Sequence, residues 1–332
     1  MTAPSSSLDH APVILRLEKL TKVFEVGVRR RRLCAVDDLT LSVEKGEVFG
    51  FVGPNGAGKT TTIKMLMGLI HPTRGRAFIF DAPIPSRDAR RRLGYLPEHP
   101  AYYEFLTGRE ALRFFAELAE VSRPNRARRC DELLDLVGLT GAADLQLRKY
   151  SKGMQQRLGI AQALVADPAF VVLDEPMSGL DPVGRKEMRD IILELKRQGK
   201  TVFFSTHILP DVEVLCDRVG IILGGRLRDV GRLGELLSPR VKSVEARLQV
   251  PPSVRSQISA QAVVLAQDGD CLDLSLADEA AAAAAVRLVF AAGGRVISLT
   301  PHRETLEDFF VRRFEEDRAR DADQAARSRA VG

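Results

Sequence analysis

Val48-Phe49-Gly50-Phe51-Val52 runs straight into Gly53-Pro54-Asn55-Gly56-Ala57-Gly58-Lys59-Thr60, and Thr61–Ile70 follows with helix-forming residues. The first five residues are nearly all apolar, as a strand buried on both faces requires. The next eight have the spacing Gly-x-x-x-x-Gly-Lys-Thr, and a strand before it with a helix behind it is the context of a phosphate-binding loop. Gly53, Gly56 and Gly58 allow backbone conformations that aim N–H groups inward at phosphate oxygens, with Pro54, Asn55 and Ala57 between them. A helix over Thr61–Ile70 would add its positive end. Lys59 is expected on the β- and γ-phosphates, the Thr60 hydroxyl on Mg²⁺, and Thr61 on the α-phosphate. The expected ligand is a nucleoside triphosphate.

A second apolar run, Phe170-Val171-Val172-Leu173, delivers Asp174 and Glu175 at its carboxyl end, where ligands sit in open α/β sheets. Asp174 is expected to hold Mg²⁺ through water and Glu175 to polarise the attacking water as general base. A third run, Thr201–Phe204, leads into Ser205-Thr206-His207. His207 is placed to hydrogen-bond the γ-phosphate and position that water.

Around these motifs strands alternate with helical stretches such as Arg185–Arg197, which predicts a mainly parallel α/β sheet. Val13–Leu17 and Leu39–Val43 read as strands ahead of it, and Ile221–Leu227 reads as a hairpin turning at Gly224-Gly225. Between Glu98 and Ala166 the pattern is helical. Thr107-Gly108-Arg109-Glu110 has capping-box spacing, with Leu112, Phe115, Leu118 and Ala119 as the apolar face behind it. Asp131–Val137 is a further helix that Gly138 is placed to end.

Length and composition frame the rest. A chain of 332 residues suggests two folded units, and 45% hydrophobic residues exclude a wholly disordered one. The expected division is a disordered tail over 1–12, a nucleotide-binding domain over 13–238 with its helical subdomain at about 98–166, a small α+β domain over 240–313, and a polar tail over 314–332. The second domain rests on the alternating runs Val244–Val250 and Leu272–Leu276, a packed helix over Ala280–Phe290, a strand at Val296–Leu299, and Leu306, Phe309, Phe310 and Phe314 on one helix face. The four cysteines are scattered singly, without metal-ligand spacing. A net charge of +5 is mild and names no partner. Apolar runs are too short to span a bilayer, and the amino terminus lacks the order of a signal peptide, so a soluble cytosolic protein is expected.

Tyr150-Ser151-Lys152-Gly153-Met154-Gln155-Gln156-Arg157 is similar to the signature motif of the ATP-binding subunit of ABC transporters, Leu-Ser-Gly-Gly-Gln followed by Gln-Gln-Arg. Ser178-Gly179-Leu180-Asp181 resembles that family's D-loop. Phe24 stands where the family has an aromatic residue against adenine, and Glu98 where it has the Q-loop glutamine. The resemblance covers about Val13 to Leu237. It implies a P-loop NTPase (RecA-like) core with a helical insertion and an antiparallel β segment, ATP and Mg²⁺ as cofactors, and Glu98 as a further group near the metal. It also implies that Ser151 and Gly153 face the γ-phosphate held by a second ATP-binding subunit, identical or paralogous. Lys152 replaces the signature's first glycine, and either draws the nucleotide or lies on the surface. Gln155 and Gln156 read as helix packing.

Pro97-Glu98-His99-Pro100, with Tyr102-Tyr103 and Leu106-Thr107, resembles the exporter branch of these ATPases, many of which carry a small C-terminal extension. The implied partner is a separate membrane permease, which would hold the chain at the inner face of the cell membrane. The competing reading is a soluble ABC-type ATPase acting on nucleic acid or ribosomes. Tandem ATPase domains, a long coiled-coil insertion or zinc-binding cysteine pairs would mark it, and the sequence has none, so no nucleic acid is expected. A non-hydrolysing regulatory module is disfavoured because Lys59, Asp174, Glu175 and His207 are all present. The basic run Arg29–Arg32 is either a solvated loop or a contact for anionic headgroups.

Overall fold

The computed structural model describes residues 12–27, 30–237, 241–303, 305–313 and 315. The expected 1–12 tail except Pro12, Arg29 of the basic run, the Ser238-Pro239 boundary, Phe314 and the polar end beyond Glu315 lie outside that set. Chain contacts divide the molecule between Leu233 and Gly234.

In the first unit β1 (Val13–Val26) and β2 (Arg31–Glu44) form a long antiparallel pair. Both outrun the short apolar stretches that announced them, because backbone pairing continues through polar residues at the exposed end. Arg30 sits in the turn, its guanidinium 3.9 Å from Glu25. After β3 (Val48–Val52) comes α1 (Lys59–Leu66), shorter than the expected Thr61–Ile70. It begins where Gly58 takes φ +105° and stops ahead of Gly68 at φ +67°, a left-handed turn that favours glycine. β4 (Arg74–Ile79) and β5 (Ala82–Pro83) complete a four-stranded antiparallel sheet in the order β2-β1-β4-β5.

Next come α2 (Arg87–Arg91), β6 (Leu93–Leu96) and the helices of the insertion, α3 (Gly108–Leu118), α4 (Arg123–Leu136) and α5 (Lys152–Ala163). Thr107 and Glu110 make the reciprocal capping box at the start of α3. α3 buries Ala111, Leu112 and Ala116, so of the expected face Leu112 is buried and Phe115 half-buried, while Ala119 is exposed and Leu118 is 64% exposed. Leu118 falls off the stripe because residues three and four apart share a helix side, and Leu112 sets that side. α4 starts eight residues before the expected Asp131, with Pro124 in its first turn, where proline costs no hydrogen bond.

β7 (Phe170–Asp174), α6 (Pro182–Arg197), β8 (Thr201–Thr206), α7 (Leu209–Leu215), β9 (Arg218–Leu223) and β10 (Arg226–Arg232) follow. The six-stranded sheet has the order β10-β9-β3-β8-β7-β6, parallel except for β10. Every residue of β3, β7 and β8 is buried, as central strands covered on both faces must be. Phe203 stacks on Phe49 with ring centroids 5.7 Å apart and meets Phe51 at 5.5 Å. Register then fixes function. Val52 pairs with Thr206, and Asp174 pairs with Ser205. The glycine-rich loop, the carboxylates and His207 therefore leave the sheet at one carboxyl edge.

Asp167, just before β7, accepts hydrogen bonds from Lys200 at 2.7 Å and from Arg129 of α4 at 3.3 Å. It thereby ties the helical insertion to the sheet, and the Lys200 bond holds its carboxyl below the ordinary aspartate range.

After α8 (Leu233–Leu236) the second unit pairs β11 (Val241–Gln249), β12 (Val263–Asp268), β13 (Cys271–Leu276) and β14 (Arg295–Arg303) in the order β12-β13-β11-β14. α9 (Pro252–Ser259) and α10 (Glu279–Ala291) supply Ile258, Ala282, Ala285 and Val289 to a core with Val244, Ala246, Leu248, Leu272, Leu274 and Leu276. Phe290 is an exception to the packed helix expected there, since its ring is 59% exposed. No described helix is long and apolar enough to cross a membrane.

Candidate nucleotide site

The loop from Gly53 to Gly58 is held by its neighbours. Gly53 N–H donates to the Thr206 carbonyl at 3.3 Å, and a side chain on Gly53 would strike the Ile222 carbonyl at 2.3 Å. Gly56 and Gly58 take φ +79° and +105°. The Lys59 ammonium folds back under the loop, donating to the Gly53 carbonyl at 2.7 Å and the Pro54 carbonyl at 3.2 Å. Asn55, Gly56, Gly58, Lys59, Thr60 and Thr61 line a cavity of about 320 Å³ that Ala35, Glu98 and Glu175 close. Backbone N–H groups at a helix start together with an ammonium form an anion-binding cradle.

One carboxylate links the halves of this site. Glu175 Oε1 lies 3.1 Å from the Lys59 ammonium, and its Oε2 lies 2.9 Å from Nδ1 of His207. Both Lys59 and Glu175 are about 5% exposed, so the pair is buried. Glu175 adopts φ +48°, a left-handed conformation that a non-glycine residue rarely takes. Such strain concentrates at functional positions. His207 remains partly open to solvent and is not among the residues that line the cavity.

Ser205, which no motif in the sequence singles out, fixes the Asp174 carboxylate and the backbone of Glu175. Its hydroxyl donates to Asp174 Oδ1 at 2.6 Å and accepts from the Glu175 N–H at 2.9 Å. The same Asp174 oxygen accepts from the Thr60 hydroxyl at 3.3 Å. Burial pushes the Asp174 carboxyl up, and nearby Glu98 and Glu175 push the same way, while the Ser205 and Thr60 bonds oppose them. Burial also raises the Tyr95 phenol to about 12. A hydroxyl one strand over, two residues before the histidine that follows the strand, is the signal available for Ser205.

Other expected residues stand apart from the cavity. Ser151 caps α5, accepting from Met154 N–H at 3.2 Å, and Gly153 lies in the first turn. Neither lines the cavity that holds Lys59 in the same chain. Phe24 also lies outside the cavity walls, on β1 opposite Leu33, with the Lys22 ammonium 5.0 Å above its ring. Lys152 crosses the D-loop: a Cβ on Gly179 would fall 2.3 Å from its ammonium, and Gly179 takes φ +68°. Asp181 closes that loop as the cap of α6, accepting from Gly184 N–H at 2.8 Å.

Residues 36–178 match a family model described as ABC transporter. An uncharacterized ABC transporter ATP-binding protein of Nostoc sp. is 42% identical over 306 residues, covering 91% of this chain and 90% of its own. The bacitracin transport ATP-binding protein of Bacillus licheniformis is 37% identical over 311 residues, covering 90% and 96%. A solved ATP-binding subunit of an ABC transporter superposes with a TM-score of 0.59 at 33% identity, covering 67% of this chain and 91% of that one. A glycine-rich cradle, two strand-end carboxylates and whole-chain similarity lead to one conclusion: this protein belongs to the ATP-binding subunits of ABC transporters, the ATPases that power transport.

Proposed function

We propose that the chain hydrolyses Mg²⁺-ATP at a site completed by a second ATP-binding subunit, and so drives a separate membrane permease in the export direction. The observation that carries this reading is the meeting of Lys59, Asp174, Glu175 and His207 at one sheet edge. Lys59 and the loop N–H groups of Gly53–Thr61 take the phosphates. Glu175 accepts a proton from the attacking water, and His207 orients that carboxylate and the water. The donors suit Mg²⁺, because Thr60 and Asp174 offer hard oxygens and the ion draws its other ligands from phosphate and water. Glu98 sits close enough to act on Asp174 by charge.

Ser151 and Gly153 present a capped helix start outside their own chain's cavity, which supports their use against a partner's γ-phosphate. Phe24 is assigned to the adenine. On the helical insertion Tyr103, Phe105 and Phe114 are exposed, and the Tyr103 ring meets those of Phe105 and Phe114 with centroids 5.8 and 5.9 Å apart. Large exposed apolar groups in one patch mark a protein contact, here assigned to the permease that keeps the chain at the inner membrane face. The similarity to a bacitracin transport protein and the exporter-like run around Glu98 support the direction.

Sizing the Glu175→Gln variant with and without ATP and Mg²⁺ tests the two-chain site. A dimer that forms with ATP and disperses on its removal is expected. A variant that stays monomeric at saturating ATP contradicts the reading.

A further inference from the structure

Gln156 lies on α5 just past the capped signature turn and is 1% exposed. Its amide Nε2 donates to the backbone carbonyl of Glu98 at 2.9 Å. Its Oε1 is also buried, and no hydrogen bond reaches it from the described residues. An unsatisfied buried oxygen costs stability, so packing alone would be served better by Leu or Met. What the amide adds is a directed link to the loop that carries Glu98.

Two neighbouring contacts reinforce that link. The Tyr102 hydroxyl donates to the Gln155 carbonyl at 3.3 Å. At Gly159 the helix approaches so closely that a Cβ would fall 2.4 Å from Leu96 Cδ1 and 3.0 Å from the Tyr102 hydroxyl. α5 is thus fastened to residues 96–102 along its length. Glu98 lines the cavity that holds Lys59, whereas Ser151 and Gly153 at the start of α5 do not.

We propose that Gln156 is a positioning residue that carries the nucleotide state of one chain's phosphate loop, through the Glu98 backbone, to the signature turn of that same chain. This rests on the two-chain reading above, in which that turn serves the partner's ATP. Filling one cavity then prepares the other, and the coupling is energetic: a shift at Glu98 breaks or keeps the buried hydrogen bond from the Gln156 amide to the Glu98 carbonyl.

Gln156→Met keeps the volume and removes the donor; Gln156→Glu keeps the shape and offers only acceptors. Three quantities are measured on the full chain: thermal midpoint, affinity for a fluorescent ATP analogue at dilute protein, and ATPase rate against ATP concentration. In both variants the analogue should bind as in wild type. The Hill coefficient should fall from about two towards one, with half-saturating ATP raised on the order of tenfold. If the methionine variant fails to fold, the glutamate variant decides. An unchanged Hill coefficient and half-saturation overturn the coupling, and so does a loss explained wholly by weaker analogue binding. A wild-type chain that hydrolyses ATP without cooperativity and forms no ATP-dependent dimer overturns the two-chain reading itself, and this transmission with it.

Discussion

The Lys59 ammonium lies 3.1 Å from Glu175 Oε1 although one residue opens α1 and the other follows the end of β7, and both are buried. A buried charge is tolerable when it is paired, and here each partner also has a second anchor: loop carbonyls for Lys59 and His207 for Glu175. The pair places the proton acceptor of the proposed reaction against the cation that grips phosphate. Glu175→Gln keeps the shape and removes the base. Affinity for ATP should persist, while turnover falls about 10²–10⁴-fold. A variant with normal turnover in a steady-state phosphate-release assay would show that Glu175 is not the base.

Lys152 and Gly179 should be energetically coupled. Gly179→Ala places a side chain at φ +68°, costing roughly 1–2 kcal/mol, and also drives it into the Lys152 ammonium. Lys152→Ala relieves the second effect and leaves the first. In a double-mutant cycle on thermal stability, Gly179→Ala should cost less in the Lys152→Ala background than alone. Equal costs in both backgrounds would mean the lysine swings aside freely.

Asp167 gives a pH signature. Its carboxyl is held low by Lys200, so the folded chain binds that proton less tightly than the unfolded one. The stabilisation is therefore present above the unfolded-state value and lost as pH falls through the lower folded-state value. Asp167→Asn should melt earlier than wild type near neutrality, with a gap within about 1 kcal/mol because the carboxylate is largely exposed. The two melting curves should converge in acid. A gap that widens on acidification would contradict the assignment.

Much of this was legible in the residues, for physical reasons. Gly53–Thr60 and Asp174-Glu175 announce themselves because phosphate binding and strand-end chemistry demand fixed spacings along one segment. The Thr107–Glu110 box is equally local. What stayed hidden depends on neighbours distant in sequence. Ser205 bridges Asp174 and Glu175 through strand register, and Lys152 crosses Gly179 after a 27-residue excursion of chain. Gln156 reads as helix packing until its carbonyl partner, 58 positions away, is known. The end of α1 at Leu66 is not visible in the apolar pattern, which continues to Ile70 although Gly68 interrupts the helix with a left-handed turn. Leu118 fits the apolar face of α3 only by a loose helical period, and it is exposed.

The central claim is that one ATP is served by two chains, and mixing two crippled chains tests it most directly. Lys59→Ala disables the phosphate loop and leaves Ser151 and Gly153 intact. Gly153→Asp sets a negative charge at the signature turn and leaves the loop intact. Each variant alone should be inactive in an ATPase assay. Mixed, they should regain part of the wild-type rate, because a mixed dimer holds one site with an intact loop and an intact signature turn. A mixture as inactive as its components, with both variants folded, would contradict a site shared between two chains.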